Sequence, residues 1–500
     1  MNRKRLFATV VALLTLGILM TGSYAQGRKT PPNIVFILAD DLSWNLIEYM
    51  PNVQAMQKEG VTFSNYFVAN SLCCPSRSSI FTGKLPHNTG VLTNTLSRPD
   101  GGYAAFLAYP TPSDNNEHHT FAVALNSTGY KTAMLGKYLN GYIPKKYAPP
   151  TGWTEWDVAG DGYANFNYNL NQNGTVKHYG KTDAEYLTDV VAGLADKFIR
   201  HSPLKPFIIE IATFAPHAPY IPAPRDADKF PGLGAPRSPA FGARPDSDSP
   251  GWLKIIPSLT PVDIEHIDIA FRKRAQSVQA IDKMIGQISA TLEKIGKDKN
   301  TYIIFSSDNG LHMGEYSLNP GKQTPYDIDI RVPLIAVGPG VPRGRVVNEI
   351  AMNIDLCPTF TDLAASAPSI TNSDGQSLKP LLHGQTPVGW RNIVLIEHRR
   401  SPYDPNDPDV VVNPSENPPS YEALRTENAL YVEYYYNDAD IGTTPCNEIG
   451  YYDLFLDPQA LKNIAATQTS DKLQRLHAIL DANMKCKDPI ACWQAQRMTP

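Results

Sequence analysis

Short apolar runs alternate with longer amphipathic stretches along the chain. Asn33–Ala39 (NIVFILA), Lys131–Leu135 (KTAML), Phe207–Ala212 (FIIEIA), Thr301–Ser306 (TYIIFS) and Val332–Val337 each lack a polar face, the pattern of parallel strands buried on both sides of an α/β sheet. Val278, Ile281, Ile285, Ile288, Leu292 and Ile295 step by three and four, which predicts an amphipathic helix ended by Gly296. The alternation predicts an α/β fold with a mostly parallel central sheet flanked by helices. Near 385–420 the composition shifts to proline, asparagine and aspartate. Beyond it NALYVEYYYND and GYYDLFLD read as antiparallel strands, followed by a helix from about Leu473. The expected division is a main domain over 26–389 and a smaller C-terminal α+β subdomain over 390–500 containing an antiparallel sheet.

Each strand-like run leads into polar residues. NIVFILA leads into Asp40-Asp41, TYIIFSS into Asp308-Asn309-Gly310, FIIEIATF into Ala215-Pro216-His217, and KTAML into Gly136-Lys137. Open α/β sheets hold ligands beyond the carboxyl ends of their strands, so these segments are expected to meet. Asp40, Asp41 and Asp308 would then crowd like charges into one cleft, and burying an uncompensated ion costs several kcal/mol. A hard divalent cation removes that cost. With the amide oxygen of Asn309 the donor set is all oxygen, which favours calcium or magnesium over zinc. Taken singly, Asp40-Asp41 also reads as a helix cap and Asp308-Asn309-Gly310 as a turn. Their common position after buried strands favours the metal.

Residues 1–25 combine Arg3, Lys4 and Arg5 with an apolar run from Leu6 to Met20 and an A-x-A-like end, Ser23-Tyr24-Ala25. The run is shorter than the roughly 20 residues of a membrane span, so it reads as a cleaved signal peptide. The expected location is secreted or periplasmic, without a stable membrane anchor. A net charge of −4, with no basic block beside an aromatic platform, argues against nucleic acid as a partner. Six cysteines in 500 residues are too few for a disulfide-built scaffold. Cys486 and Cys492 are close enough to close a small loop, whereas Cys357 and Cys446 have no obvious partner. Asn126 and Asn173 head glycosylation sequons.

Cys73 and Cys74 sit side by side in SLCCPSRSSIFTG. Neighbouring Cα atoms lie about 3.8 Å apart, whereas a disulfide prefers roughly 5.5–6 Å, so crosslinking does not explain the pair. Pro75 suits the first turn of a helix and Gly83 its end. That puts Cys73 at a helix N-terminus, where free N–H groups favour an anion. Arg77, one turn on, adds a guanidinium suited to an oxyanion. Lys137 and Lys322 can add positive charge, although each also reads as a solvated surface lysine.

These motifs resemble the type I sulfatases of the alkaline-phosphatase-like superfamily. Cys73-Cys74-Pro75-Ser76-Arg77, continuing to Thr82-Gly83-Lys84, is similar to the family's C-x-P-S-R…TG signature, whose first cysteine a maturation enzyme oxidises to Cα-formylglycine. ADD at 39–41, GK at 136–137, APHAPY at 215–220, SDNGLHMGE at 307–315 and GKQTPYDIDIRVP at 321–333 come in family order, so the resemblance runs from about Asn33 to Asp457. It implies an alkaline-phosphatase-like fold with the catalytic domain over 26–389. It implies that Asp40, Asp41, Asp308 and Asn309, with residue 73, hold one calcium ion, and that Arg77, Lys137, Lys322 and His217 surround a sulfate group. TFAVALNSTGYKTAMLGKYLNGY, with CCPSR and PHN at 86–88, is similar to the branch of N-acetylglucosamine-6-sulfatases and heparan endosulfatases.

The implied chemistry is hydrolysis of a sulfate ester on a sulfated sugar or an aryl group. A hydrated aldehyde at residue 73 attacks sulfur, fixed cations stabilise the spreading charge, and His217 protonates the leaving alcohol. Many arylsulfatases have a histidine two residues after the GK lysine, where this chain has Leu139. The base that releases sulfate must then lie elsewhere, and His312 is the candidate, with Asn140 a candidate substrate contact. His87 is a weaker choice, and His118 and His119 are expected on a loop. Two other readings stand beside this one: a phosphonate or phosphate ester hydrolase using the same site, and a sulfoglycan-binding homologue without catalysis.

Overall fold

Asn33–Ala39 (β1) is buried along its whole length because strands pair with it on both sides and helices cover both faces. The computed structural model describes residues 30–202, 204–364, 372–402, 407–409, 413–441 and 445–499, so the predicted signal peptide lies outside the described residues. The main sheet adds Val61–Phe63 (β2), Lys131–Lys137 (β3), Glu155–Ala159 (β4), Tyr168–Gln172 (β5), Thr175–Tyr179 (β6), Phe207–Ala212 (β7), Thr301–Ser307 (β8), Leu334–Val337 (β9) and Arg345–Val347 (β10). Their order is β10-β2-β9-β8-β1-β7-β3-β4-β5-β6. From β8 through β1, β7 and β3 to β4 every neighbour is parallel. The carboxyl ends of β8, β1, β7 and β3 therefore lie along one edge, and the polar segments that succeed them share it.

One strand departs from expectation. The run at 332–337 forms β9 only from Leu334, and β9 is antiparallel to both β8 and β2. A parallel neighbour requires a crossover that returns the chain to the far edge. The segment between β8 and β9 instead doubles back at the carboxyl edge, carrying Lys322 with it. The apolar composition was right for burial and silent on direction.

Cys73–Thr82 (α1) is buried at every position and ends at Gly83 in the left-handed region, φ 73°. Leu187–Arg200 (α2) and Pro261–Lys294 (α3) cover one face of the sheet. α3 starts well before the predicted Val278. Thr260 and Asp263 form a capping box and Pro261 takes the first helical position, so the helix is nucleated a full four turns earlier. That extension puts Arg274 in the core, where its guanidinium donates to the Asp41 carbonyl.

Ile393–His398 (β11), Ser420–Thr426 (β12), Ala429–Tyr435 (β13) and Glu448–Asp453 (β14) form a four-stranded antiparallel sheet, followed by Ser470–Lys485 (α4). This sheet braces the segment carrying Lys322. Tyr421 Oη donates to the Gln323 carbonyl at 3.0 Å, and Arg425 Nε donates to Asp327 Oδ1 at 2.8 Å. Cys486 and Cys492 are disulfide-bonded, and Cys357 and Cys446 are free. His118 and His119 lie in a 3-10 turn, Asn116–His119, rather than a loop, because Asn115 caps it by accepting from the Glu117 N–H.

Candidate active site

Four strand ends, the start of α1 and the lysine of the doubling-back segment converge on Cys73. Its sulfur is fully buried, 3.4 Å from Asp40 Oδ1 and 3.9 Å from Asp41 Oδ1, and accepts from Lys322 Nζ at 2.9 Å. Burial, then Asp40 and Asp409, push the thiol well above its usual pKa and keep it neutral. Cys74 points away into the core, and its backbone N–H donates to Asn94 Oδ1 at 2.8 Å. Burial pushes its thiol up to about 12.

The cations are held by carboxylates. Arg77 Nε donates to Asp308 Oδ2 at 2.8 Å and Nη1 to the Lys137 carbonyl at 3.0 Å. Lys137 Nζ lies 2.7 Å from Asp40 Oδ2, and Lys322 Nζ lies 2.7 Å from Asp41 Oδ1. Burial alone would discharge both lysines, but Asp40 beside Lys137, and Asp409 and Asp41 beside Lys322, hold them protonated well above the usual lysine range. Gly136 makes the approach of β3 possible, because a Cβ there would fall 1.9 Å from the Ala212 carbonyl oxygen. His217 Nδ1 donates to the Ala218 carbonyl at 2.8 Å, which leaves Nε2 aimed at the site. Burial lowers the pKa of His217, but Asp41, Asp40 and Asp409 outweigh it and favour the imidazolium.

The acidic groups fit a hard cation. Ligand atoms of Asp40, Asp41, Cys73 and His217 all lie within 4.8 Å of one another. Asn309 Nδ2 donates to Asp41 Oδ1 at 2.6 Å, while its Oδ1 is buried without a donor among the described residues. An orphaned amide oxygen against two carboxylates is what an oxygen-preferring cation would satisfy. Asp308 is at the edge of this cluster. Its Oδ1 accepts from the Asp41 and Asn309 N–H groups at 3.1 and 2.9 Å, and Arg77 takes Oδ2. Asp41 itself has φ 62°, a left-handed conformation that turns its carboxylate toward Lys322.

His312 and His87 make their side-chain contacts outside the cluster around Cys73. His312 Nδ1 lies 2.9 Å from Asp329 Oδ2, and its Nε2 packs against Gly321, the neighbour of Lys322. His87 joins Glu397 to the Cys486 carbonyl. Asn140 Nδ2 donates to Tyr163 Oη at 3.2 Å, and Leu139 is buried. Two contributors carry no motif. Arg274 lay outside the predicted helix, and Asp409 lies in SPYDPNDPD, where nothing in the pattern separates it from its neighbouring aspartates.

Residues 32–366 match the family described as Sulfatase, and residues 314–485 match the C-terminal family of N-sulphoglucosamine sulphohydrolase. The N-acetylglucosamine-6-sulfatase of Homo sapiens is 34% identical over 96% of this chain and 89% of its own. The extracellular sulfatase SULF-1 homolog of Drosophila melanogaster is 32% identical over 74% of this chain and 33% of its own. In fold, the chain is similar to a protein solved in complex with its substrate D-glucosamine-2-N,6-O-disulfate. That protein is 24% identical, with a TM-score of 0.73, covering 91% of this chain and 98% of the other.

Proposed function

The chain belongs to the sulfatase family and is a sulfuric ester hydrolase, and from that premise we propose that it desulfates the 6-position of N-acetylglucosamine or a closely related sulfated amino sugar. The observation that carries this reading is the convergence of Arg77, Lys137 and Lys322 on residue 73 at the start of α1. The identity to N-acetylglucosamine-6-sulfatase over nearly the whole chain supports the amino sugar. Asp40, Asp41, Asp308 and Asn309 would hold calcium beside residue 73. Formylglycine made from Cys73 by a maturation enzyme would supply the oxygen nucleophile, and calcium would lower the cost of its negative charge.

The chain's own residues do the rest. Lys137, Lys322 and Arg77 stay charged at buried positions, so what their carboxylate partners leave of their field acts on the equatorial sulfate oxygens from fixed groups with little solvent reorganisation. His217, imidazolium with Nε2 facing the site, donates a proton to the departing alcohol. Asp329 accepts from Nδ1 of His312 and, outweighing burial, raises its pKa, so Nε2 accepts a proton only from the neutral form of the ring. His312 thus keeps the role of the base that assists sulfate release, with Asn140 beside Tyr163 as a sugar contact. The stretch 390–500 would form the smaller C-terminal subdomain. Secretion after removal of residues 1–25 agrees with an extracellular relative.

Turnover of N-acetylglucosamine-6-sulfate, nitrophenyl sulfate and the matching phosphate and phosphonate esters tests the proposal, together with peptide mass spectrometry across residue 73. The sulfated sugar is expected to be preferred and residue 73 to carry the aldehyde. Preference for phosphorus esters would replace the substrate class. An unmodified Cys73 with retained glycan binding would replace catalysis by binding.

A further inference from the structure

If Lys322 and His217 receive the sulfate, an anion already seated on them must compete with it. Resting on that reading of the two residues, we propose that Asp409 is a built-in counter-anion: its carboxylate occupies the sulfate seat of the free protein, and a sulfate ester must displace it to reach residue 73.

Asp409 Oδ1 lies 2.6 Å from Lys322 Nζ, 2.8 Å from His217 Nε2 and 4.0 Å from Cys73 Sγ. Its Oδ2 accepts from Asn94 Nδ2, on the residue whose Oδ1 accepts from the Cys74 N–H. The side chain is 2% exposed. A cavity of about 340 Å³ opens onto Asp41, His217, Lys322 and Asp409, but Cys73, Arg77 and Lys137 do not line it and are buried behind. The carboxylate thus stands between the open cavity and the sulfur. Burial raises the pKa of Asp409, but Lys322 and then His217 outweigh it and keep the carboxyl ionised.

A carboxylate and a sulfate ask for the same donors, and two anions cannot share Lys322 and His217 at contact distance without strong repulsion. Exchange of the carboxylate for a sulfate monoester, each of charge −1, leaves the charge of the pocket unchanged, so it needs no compensating ion. The exchange also sets specificity. A bare sulfate gains little by replacing an anion already seated, whereas an ester brings the contacts of its sugar in the cavity to drive the exchange. Return of the carboxylate after hydrolysis would help expel free sulfate.

The test uses the full chain with Cys73 unmodified, at saturating calcium, titrated calorimetrically with inorganic sulfate. Asp409→Ala is expected to bind sulfate about ten-fold tighter than the unaltered protein. Asp409→Asn, which keeps size and hydrogen bonding but not charge, is expected to fall between them and carries the test if the alanine variant is unstable. Alkylation of Cys73 by iodoacetamide, read peptide by peptide, should accelerate in both variants and be suppressed by sulfate. Unchanged or weaker sulfate binding in both variants overturns the proposal while leaving the sulfate-seat reading intact. Absence of sulfate binding in all three proteins overturns that reading, and the proposal with it.

Discussion

Lys322 Nζ lies 2.9 Å from Cys73 Sγ although 249 positions separate the two residues. The contact exists because the segment between β8 and β9 doubles back over the strand ends and the C-terminal sheet clamps it through Tyr421 and Arg425. A cation at the sulfur suits residue 73 for work on an anion. Cys73→Ala should therefore abolish turnover with an unchanged melting temperature. Cys74→Ala, whose thiol packs into the core, should retain most activity at a stability cost of about 1–2 kcal/mol. Equal activity loss in two folded variants would refute the assignment.

Calcium should stabilise the protein independently of turnover. Ligand at one hundred times its dissociation constant adds about 2.7 kcal/mol, readable as a rise in melting temperature that chelation reverses. Asn309→Ala removes the orphaned amide oxygen and should shrink that rise. Asp308→Asn should also lower stability without metal, because Arg77 would lose its buried partner. Breaking a buried pair costs about 3–5 kcal/mol. An Asn309→Ala variant with an undiminished calcium shift would exclude Asn309 as a ligand.

Glu210 sits in the middle of β7, fully buried, and neither carboxylate oxygen has a donor among the described residues. Burial raises its pKa to about 8 against the partly opposing field of Arg77. The unfolded chain therefore releases this proton first as pH rises, and the folded state becomes progressively less favoured between about pH 4.5 and 8. Each pKa unit corresponds to about 1.4 kcal/mol. Glu210→Gln should flatten that slope and unfold at higher urea than the unaltered protein at pH 8. Parallel pH profiles for the two proteins would show that Glu210 is already ionised in the fold.

His87 Nδ1 lies 3.0 Å from Glu397 Oε2, joining the segment just after α1 to β11. Burial opposes protonation, but Glu397 outweighs it and raises the histidine above its usual value. Its contribution is then complete below about pH 6.5 and fades as pH rises through the raised folded value. His87→Ala should cost about 1.5–3 kcal/mol at pH 6, since buried Glu397 loses its imidazolium partner and keeps only the residue-87 backbone N–H and the field of Arg399, and the deficit from the lost pairing should narrow at pH 9. Urea unfolding at the two pH values measures this. A deficit independent of pH would mean that the pair carries no charge.

The main strands, the N-terminus of α1 and the meeting of Asp40, Asp41, Lys137, His217 and Asp308 at one edge were legible because they depend on local pattern. A run without a polar face must be buried, and a doubly wound sheet gathers the segments beyond its parallel strands on one side. The direction of β9 and the early start of α3 were not legible, because burial looks the same in both strand directions and the helix-starting Thr260 precedes any clear apolar stripe. Asp409 was invisible for a different reason. Among the aspartates of a proline-rich stretch no spacing singles out the one that meets Lys322.

Residue chemistry in order along the chain therefore determined which side chains are proposed to serve a metal and an anion, since carboxylates after buried strands and a cysteine before Pro-Ser-Arg carry that requirement locally. Tertiary structure alone decided what stands in front of them, because the contact of Asp409 with Lys322 and His217 joins distant segments through space, and its strength comes from the exclusion of water that only the assembled fold provides.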